Sequence, residues 1–141
     1  MSRIFWDTML LIYLVEGHPG FARRAEELLA RMRRRGDALL TSYLALGEVL
    51  AGAEKSPDPQ KTQAVEHALD ELGFSYLPFD AGAVKIFSHL RAQEKLRVAD
   101  SIHLACAGSA GVDLFLTGDK QLLRLDVPGV RFVADFNSSI L

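Results

Sequence analysis

Four acidic residues stand in or against apolar segments that have no evident need of a charge. Asp7 separates Ile4-Phe5-Trp6 from Met9-Leu10-Leu11-Ile12, and Glu48 is the only charge between Thr41 and Ala53. Asp100 is the only charge from Val98 to Val112, and Asp119 follows Leu114-Phe115-Leu116-Thr117-Gly118. A buried carboxylate without a partner is expensive, so it takes up a proton, finds a cation or joins a functional site. Four carboxylates gathered in one place ask for a metal, and an all-oxygen ligand set suits Mg²⁺ or Mn²⁺ rather than zinc, which favours His and Cys. Such an ion, or a pair of them, activates a water and neutralises the charge that builds on a phosphodiester during in-line displacement. Without a cation the same carboxylates repel one another.

Whether the four can meet depends on the elements that carry them. Short apolar runs alternate with longer helical patterns, the signature of an α/β layered domain with a mainly parallel central sheet flanked by helices. Strands are expected over Arg3 to Trp6, Ala38 to Leu40, Ser75 to Phe79, Leu114 to Thr117 and Val130 to Val133, the last before a polar tail. Apolar positions at helical spacing predict a helix from Phe21 to Arg35 stopped by Gly36. Thr41-Ser42 offers capping hydroxyls to a helix through Glu48 that ends near Gly52, and Ser56-Pro57-Asp58-Pro59 reads as a loop. Further helices are expected from Gln60 to Leu72, stopped by Gly73, and from an Asp80 N-cap through Glu94. One more carries Asp100, and a brief one covers Lys120 to Leu125. Open parallel sheets place their sites beyond the carboxyl ends of the strands. Asp7 and Asp119 fall there, and Glu48 and Asp100 lie near helix starts, so one sheet edge could collect all four.

The chain of 141 residues, 49% hydrophobic, is long enough for one sizeable core, and a single domain over residues 1–141 is expected. Its formal net charge of −2 does not advertise a polyanionic partner, so any nucleic-acid surface has to be local. One cysteine, Cys106, excludes a disulfide framework and Cys-rich zinc modules. No signal-peptide pattern and no bilayer-spanning apolar run is seen, so the expected location is cytoplasmic, with no membrane partner.

Other conspicuous residues have plainer readings. Asp80 fits an N-cap, and Asp113 flanks a turn after Gly111. His103, three residues beyond Asp100, reads as a helix-packing residue with a satisfied ring. Ser101 is its near neighbour, yet helix geometry argues against a Ser-His-Asp triad. Cys106 reads as a small buried hydrophobe. The basic cluster Arg23, Arg24, Arg31, Arg33, Arg34 and Arg35 reads as a solvated helix face, with RNA contact as the rival reading. Tyr13, Phe87 and Leu90 could be core or a dimer surface.

The segments Ile4-Phe5-Trp6-Asp7-Thr8, Thr41-Ser42 through Glu48, Leu96 to Ala105 around Asp100, and Phe115-Leu116-Thr117-Gly118-Asp119 resemble, in order and spacing, the four motif regions of PIN-domain proteins. The resemblance covers nearly the whole chain and is most specific in the last two segments. Within that family the chain is similar to VapC-type toxins of toxin-antitoxin pairs. The resemblance implies a three-layer PIN-like fold and a Mg²⁺- or Mn²⁺-dependent endoribonuclease acting on RNA, with a cognate antitoxin as partner and a homodimer as the usual assembly. It also implies that Asp7, Glu48, Asp100 and Asp119 are the catalytic and metal-binding acids, that the Thr117 hydroxyl helps to organise them, and that Thr8 supports the site from behind. Two departures stand out: Met9 where relatives carry a small polar residue, and Gly118 where many have a polar one. Rival readings are a haloacid-dehalogenase-type phosphatase, which Met9 disfavours because a general acid is needed there, and a non-catalytic PIN-fold module whose acidic pocket receives a basic partner segment.

Overall fold

A computed structural model of the protein describes residues 1–138. Strand β1 (Arg3–Trp6) is followed by helices α1 (Thr8–Glu16) and α2 (Ala22–Arg35), then by β2 (Ala38–Ser42), α3 (Tyr43–Glu54) and α4 (Lys61–Leu72). The chain continues through β3 (Ser75–Leu77), α5 (Ala81–His89), a π-helical turn (Leu90–Glu94) and α6 (Val98–Ala110). It closes with β4 (Val112–Thr117), a 3₁₀ turn (Lys120–Leu122) and β5 (Val130–Asp135). The strands form one sheet in the order β3-β2-β1-β4-β5, and every neighbouring pair runs parallel.

Central strand β1 explains the layering. Ile4, Phe5 and Trp6 are all fully buried, as a parallel strand covered on both faces requires. Side chains alternate across a strand, so Ile4 and Trp6 pack with Leu10, Leu28, Met32 and Leu69 from α1, α2 and α4. Phe5 points to the other face, where it stacks on Phe115 and packs with Leu90 and Leu104. Helices α1 to α4 therefore cover one face, and α5 and α6 cover the other.

The expected elements form with shifted ends. The strand expected over Ser75 to Phe79 stops at Leu77, because Pro78 has no N–H to give to the ladder. The strand at Ala38 runs on to Ser42, pairing Thr41 with Tyr76. The helix capped by Asp80 ends as an α-helix at His89, and its last turn is the π turn. Lys120 to Leu125 yields only the 3₁₀ turn. The stretch after Asp7, where a continuous apolar run shows no period, is helix α1. The last strand reaches Asp135 and Phe136 is buried, so the expected polar tail starts later, and residues 139–141 of it lie outside the described residues.

Candidate active site

Strands β1, β2 and β3 build outward on one side of the sheet and β4 and β5 on the other, so the winding reverses between β1 and β4. A crevice opens at the carboxyl end of such a reversal. Asp7 follows β1 and Asp119 follows β4, one on each side of it. The Asp7 N–H donates to Leu116 O at 3.0 Å, which extends the ladder one residue beyond the strand. Asp7, Glu48, Asp100 and Asp119 all line the resulting cleft of about 500 Å³, with Met9, Ile12 and Tyr13 of α1 as its apolar wall.

Each acid is held by a specific partner. Asp7 is the N-cap of α1, with Oδ1 accepting from Thr8 N at 2.9 Å and Oδ2 accepting from the Thr117 hydroxyl at 2.8 Å. Thr117, fully buried, in turn accepts from Asp119 N at 3.1 Å, so one hydroxyl ties the two acids on either side of the reversal. Asp119 Oδ1 caps the 3₁₀ turn through Gln121 N. Asp100, in the first turn of α6, accepts from Arg97 Nε on Oδ2 at 3.0 Å. Glu48 Oε1 accepts from Thr8 Oγ1 at 2.7 Å and from His103 Nε2 at 2.8 Å.

Among the described residues, Glu48 Oε2, Asp100 Oδ1 and Asp119 Oδ2 make no hydrogen bond, so three of the acids are pinned by one oxygen and keep the other for a ligand. Burial holds the Asp7 carboxyl above the usual carboxylate range, and the Asp100 charge adds to this, while His103, Thr117 and Thr8 oppose it. Arg97 is the only Lys or Arg among the residues lining the cleft.

His103 is the residue that a sequence reading underrates. It is 2% exposed and its ring is satisfied, as expected of a packing residue, but its partners belong to the site. A carboxylate can only accept, so Nε2 carries a proton toward Glu48, and Nδ1 pairs with the Ser42 hydroxyl at 2.8 Å. Ser42, His103 and Glu48 thus form a serine-histidine-acid chain. It is no nucleophilic triad: Ser42 is fully buried and its Oγ accepts from Ala45 N as the cap of α3. Ser101 donates to Arg97 O within its own helix. The signal for His103 was its i, i+3 spacing from Asp100, which puts both on one helix face. Arg97, the other missed residue, sits i−3 from Asp100 on the preceding turn.

Residues given plainer readings lie elsewhere. Asp113 accepts from Arg3 N at 2.8 Å at the amino end of the sheet, far along β4 from Asp119. Asp80 caps α5, held below the usual carboxylate range by the Ser109 hydroxyl and the Ala83 N–H. The α2 arginines do not line the cleft: Arg24 donates to Phe136 O and Ser138 O, Arg33 to Leu72 O, and Arg35 pairs with Asp37. Leu90 is core, Phe87 packs edge-on against Phe79, and Tyr13 stacks on Phe21 at the lip of the cleft.

The donor set bears on a metal. No group of three or more His, Cys, Asp or Glu side chains among the described residues is arranged to hold an ion as it stands. A zinc-type cage is therefore not what these residues build. Mg²⁺ takes one or two carboxylates and completes its octahedron with water, and free carboxylate oxygens around a crevice short of protein cations fit that habit.

Comparison with known proteins agrees with the fold. The PIN domain family model matches residues 4–128. A ribonuclease VapC2 of Haemophilus influenzae is 30% identical over 129 residues, spanning 89% of this chain and 93% of that protein. Among solved structures, DNA-bound VapBC of Salmonella typhimurium superposes with a TM-score of 0.75 at 24% identity, covering 96% of this chain and 99% of that one. VapBC2 of Rickettsia felis, bound to a DNA fragment from its promoter, gives 0.74 at 17%, covering 94% and 98%. With a family model spanning most of its length, the chain belongs to the PIN-domain family.

Proposed function

We propose that the protein is a Mg²⁺- or Mn²⁺-dependent endoribonuclease and the toxin of a toxin-antitoxin pair. The observation that carries this reading is the set of four acids around one cleft, three of them with a carboxylate oxygen left free for a ligand. The similarity to a ribonuclease VapC2 and to VapBC complexes supports the substrate class and the antitoxin partner.

A bound ion would supply Lewis-acid neutralisation of the phosphodiester and activation of water. In this reading Asp7, Glu48, Asp100 and Asp119 hold it, the last three through the carboxylate oxygen that makes no hydrogen bond among the described residues. Thr117 fixes the direction of Asp7, and Thr8 with His103 fixes Glu48 by one oxygen so that Oε2 faces the reactants. Met9, Ile12 and Tyr13 give the cleft an apolar side opposite the charged one. An antitoxin would occupy the same acids with a basic side chain, replacing the charge of the ion. A homodimer is part of the same reading, with Phe79 and Val84, 43% and 47% exposed, as apolar surface that a second copy would cover.

The test compares substrates. Cleavage of single-stranded RNA that requires Mg²⁺ or Mn²⁺ is expected. Hydrolysis of small phosphomonoesters instead would point to the phosphatase, and neither activity would leave a binding module. Adding Mg²⁺ in excess should weaken a complex with the antitoxin, and an affinity independent of the ion would count against direct occupation of the site.

A further inference from the structure

A second cleft, of about 480 Å³, adjoins the acidic one, and Arg97, Asp100 and Asp119 line both. Its remaining wall comes from the end of the π turn and the loop after it, with Glu94, Lys95 and Leu96, and from the 3₁₀ turn and the segment past it, with Gln121, Leu122 and Arg124. That loop is held in an unusual shape. Lys95 takes a left-handed conformation at φ 55°, rare for a residue with a side chain, directly after a π turn. Both features concentrate at functional sites. The shape is fastened from within, since Arg91 Nη1 donates to Leu96 O and the Leu96 side chain is buried.

Lys95 and Arg97 therefore flank a buried anchor and both reach the second cleft. Among the described residues Lys95 has no ion-pair partner, and Arg97 binds Asp100 through Nε alone, leaving both Nη nitrogens without a hydrogen bond. Arg124 meets Glu94 only at 3.4 Å in an exposed pair, which is easily exchanged for a better anion.

We propose that the second cleft seats the RNA phosphate next to the one that is cleaved, with Lys95, Arg97 and Arg124 as its binding residues. The proposal rests on the ribonuclease reading. Four carboxylates repel a polyanion, and the chain as a whole is acidic, so attraction for RNA has to be built locally beside the reaction centre. Arg97 joins the two clefts: its Nε orients Asp100, and its Nη pair offers the fork that suits a phosphate.

The experiment uses Lys95→Gln and Arg124→Gln, with Lys85→Gln on exposed α5 as a control for net charge. The substrates are a short single-stranded RNA cleaved once by the wild type and the same RNA with an uncharged methylphosphonate at the first phosphate on either side of the cut. The two cleft variants should raise KM several-fold, with the loss falling on KM rather than kcat. Each should also lower the slope of log affinity against log salt by about 0.7, the share of one neutralised phosphate on a single strand. Methylphosphonate on one side should cost the wild type a similar factor and cost Lys95→Gln nothing further. If both variants behave like Lys85→Gln, or if the neutral linkage is harmless on both sides, while RNA cleavage continues, the subsite is wrong and the ribonuclease reading stands. If the wild type cleaves no RNA with either metal, that reading fails and takes the subsite with it.

Discussion

His103 Nε2 lies 2.8 Å from Glu48 Oε1, joining helix α6 to helix α3 across the floor of the acidic cleft. The histidine is almost fully buried and its other nitrogen is held by the capping hydroxyl of α3, so the orientation of Glu48 is set by the packing of two helices rather than by solvent. His103→Ala should therefore act twice. It leaves Ser42 without its ring partner and opens a cavity, at a cost of about 2 to 4 kcal/mol. It also frees Glu48 to rotate, and loss of such a supporting partner typically lowers metal affinity or activity about 10- to 100-fold. Denaturant unfolding and RNA cleavage at a temperature where the variant is folded separate the two. Full activity in folded His103→Ala would return the residue to a packing role.

Asp7 makes a statement about pH. Burial, with the Asp100 charge behind it, raises its folded pKa above the unfolded value of about 3.9. A raised acid pKa means that ionising the group costs stability: the cost is full above the folded pKa and vanishes as pH falls below the unfolded one. Asp7→Asn should then melt higher than the wild type at pH 8 in chelator, and the advantage should shrink as the pH enters the acid range. In saturating Mg²⁺ the order should narrow or reverse, because an ion bound only by the native state stabilises the wild type more. Thermal melts across pH check it, and a variant that melts lower at pH 8 in chelator contradicts it.

Cys106 should be chemically silent. Burial, with a smaller contribution from Asp80, pushes its thiol up to about 11. At pH 8 the native protein should react with a thiol reagent on the order of 100-fold more slowly than the unfolded chain. Cys106→Ser should keep the wild-type cleavage rate, and loss of activity in a folded serine variant would reopen a nucleophilic role.

The loop between β4 and β5 depends on Gly129. Its φ of +83° suits glycine, and a Cβ there would sit 1.9 Å from Gly108 O of α6. Gly129→Ala should cost at least about 2 kcal/mol, from the left-handed backbone and from overpacking. The predicted loss is of stability, seen in denaturant unfolding. A neutral substitution would mean that the loop can move away from α6.

Much of this was legible in the sequence, and the reasons are local. Ile4-Phe5-Trp6 reads as a buried strand because all three are apolar and bulky, Thr41-Ser42 reads as a source of capping hydroxyls, of which Ser42 caps α3 while Thr41 lies within β2, and Gly36 and Gly73 read as helix ends. Lone acids in apolar runs marked the four residues that line the cleft. What stayed hidden depends on side chains meeting across the fold. The bond between Glu48 and His103 spans 55 residues and that between Thr117 and Asp7 spans 110, and no periodicity reports such pairs. Lys95 was hidden for a different reason, since a left-handed lysine carries no sequence mark of its conformation.

Whether the acids around the cleft act by holding a divalent cation for RNA cleavage is decided by one comparison of rates. The single-turnover cleavage of a single-stranded RNA is followed for the wild type and for folded Asp100→Asn, against Mn²⁺ concentration and again in chelator. Asp100→Asn removes a charge and almost no volume. The wild-type rate should rise to saturation with Mn²⁺ and stop in chelator, and the variant should stay near background at every concentration. A wild-type rate indifferent to chelator, or a folded Asp100→Asn that cleaves as fast as the wild type, would overturn the metal-dependent reading of these acids.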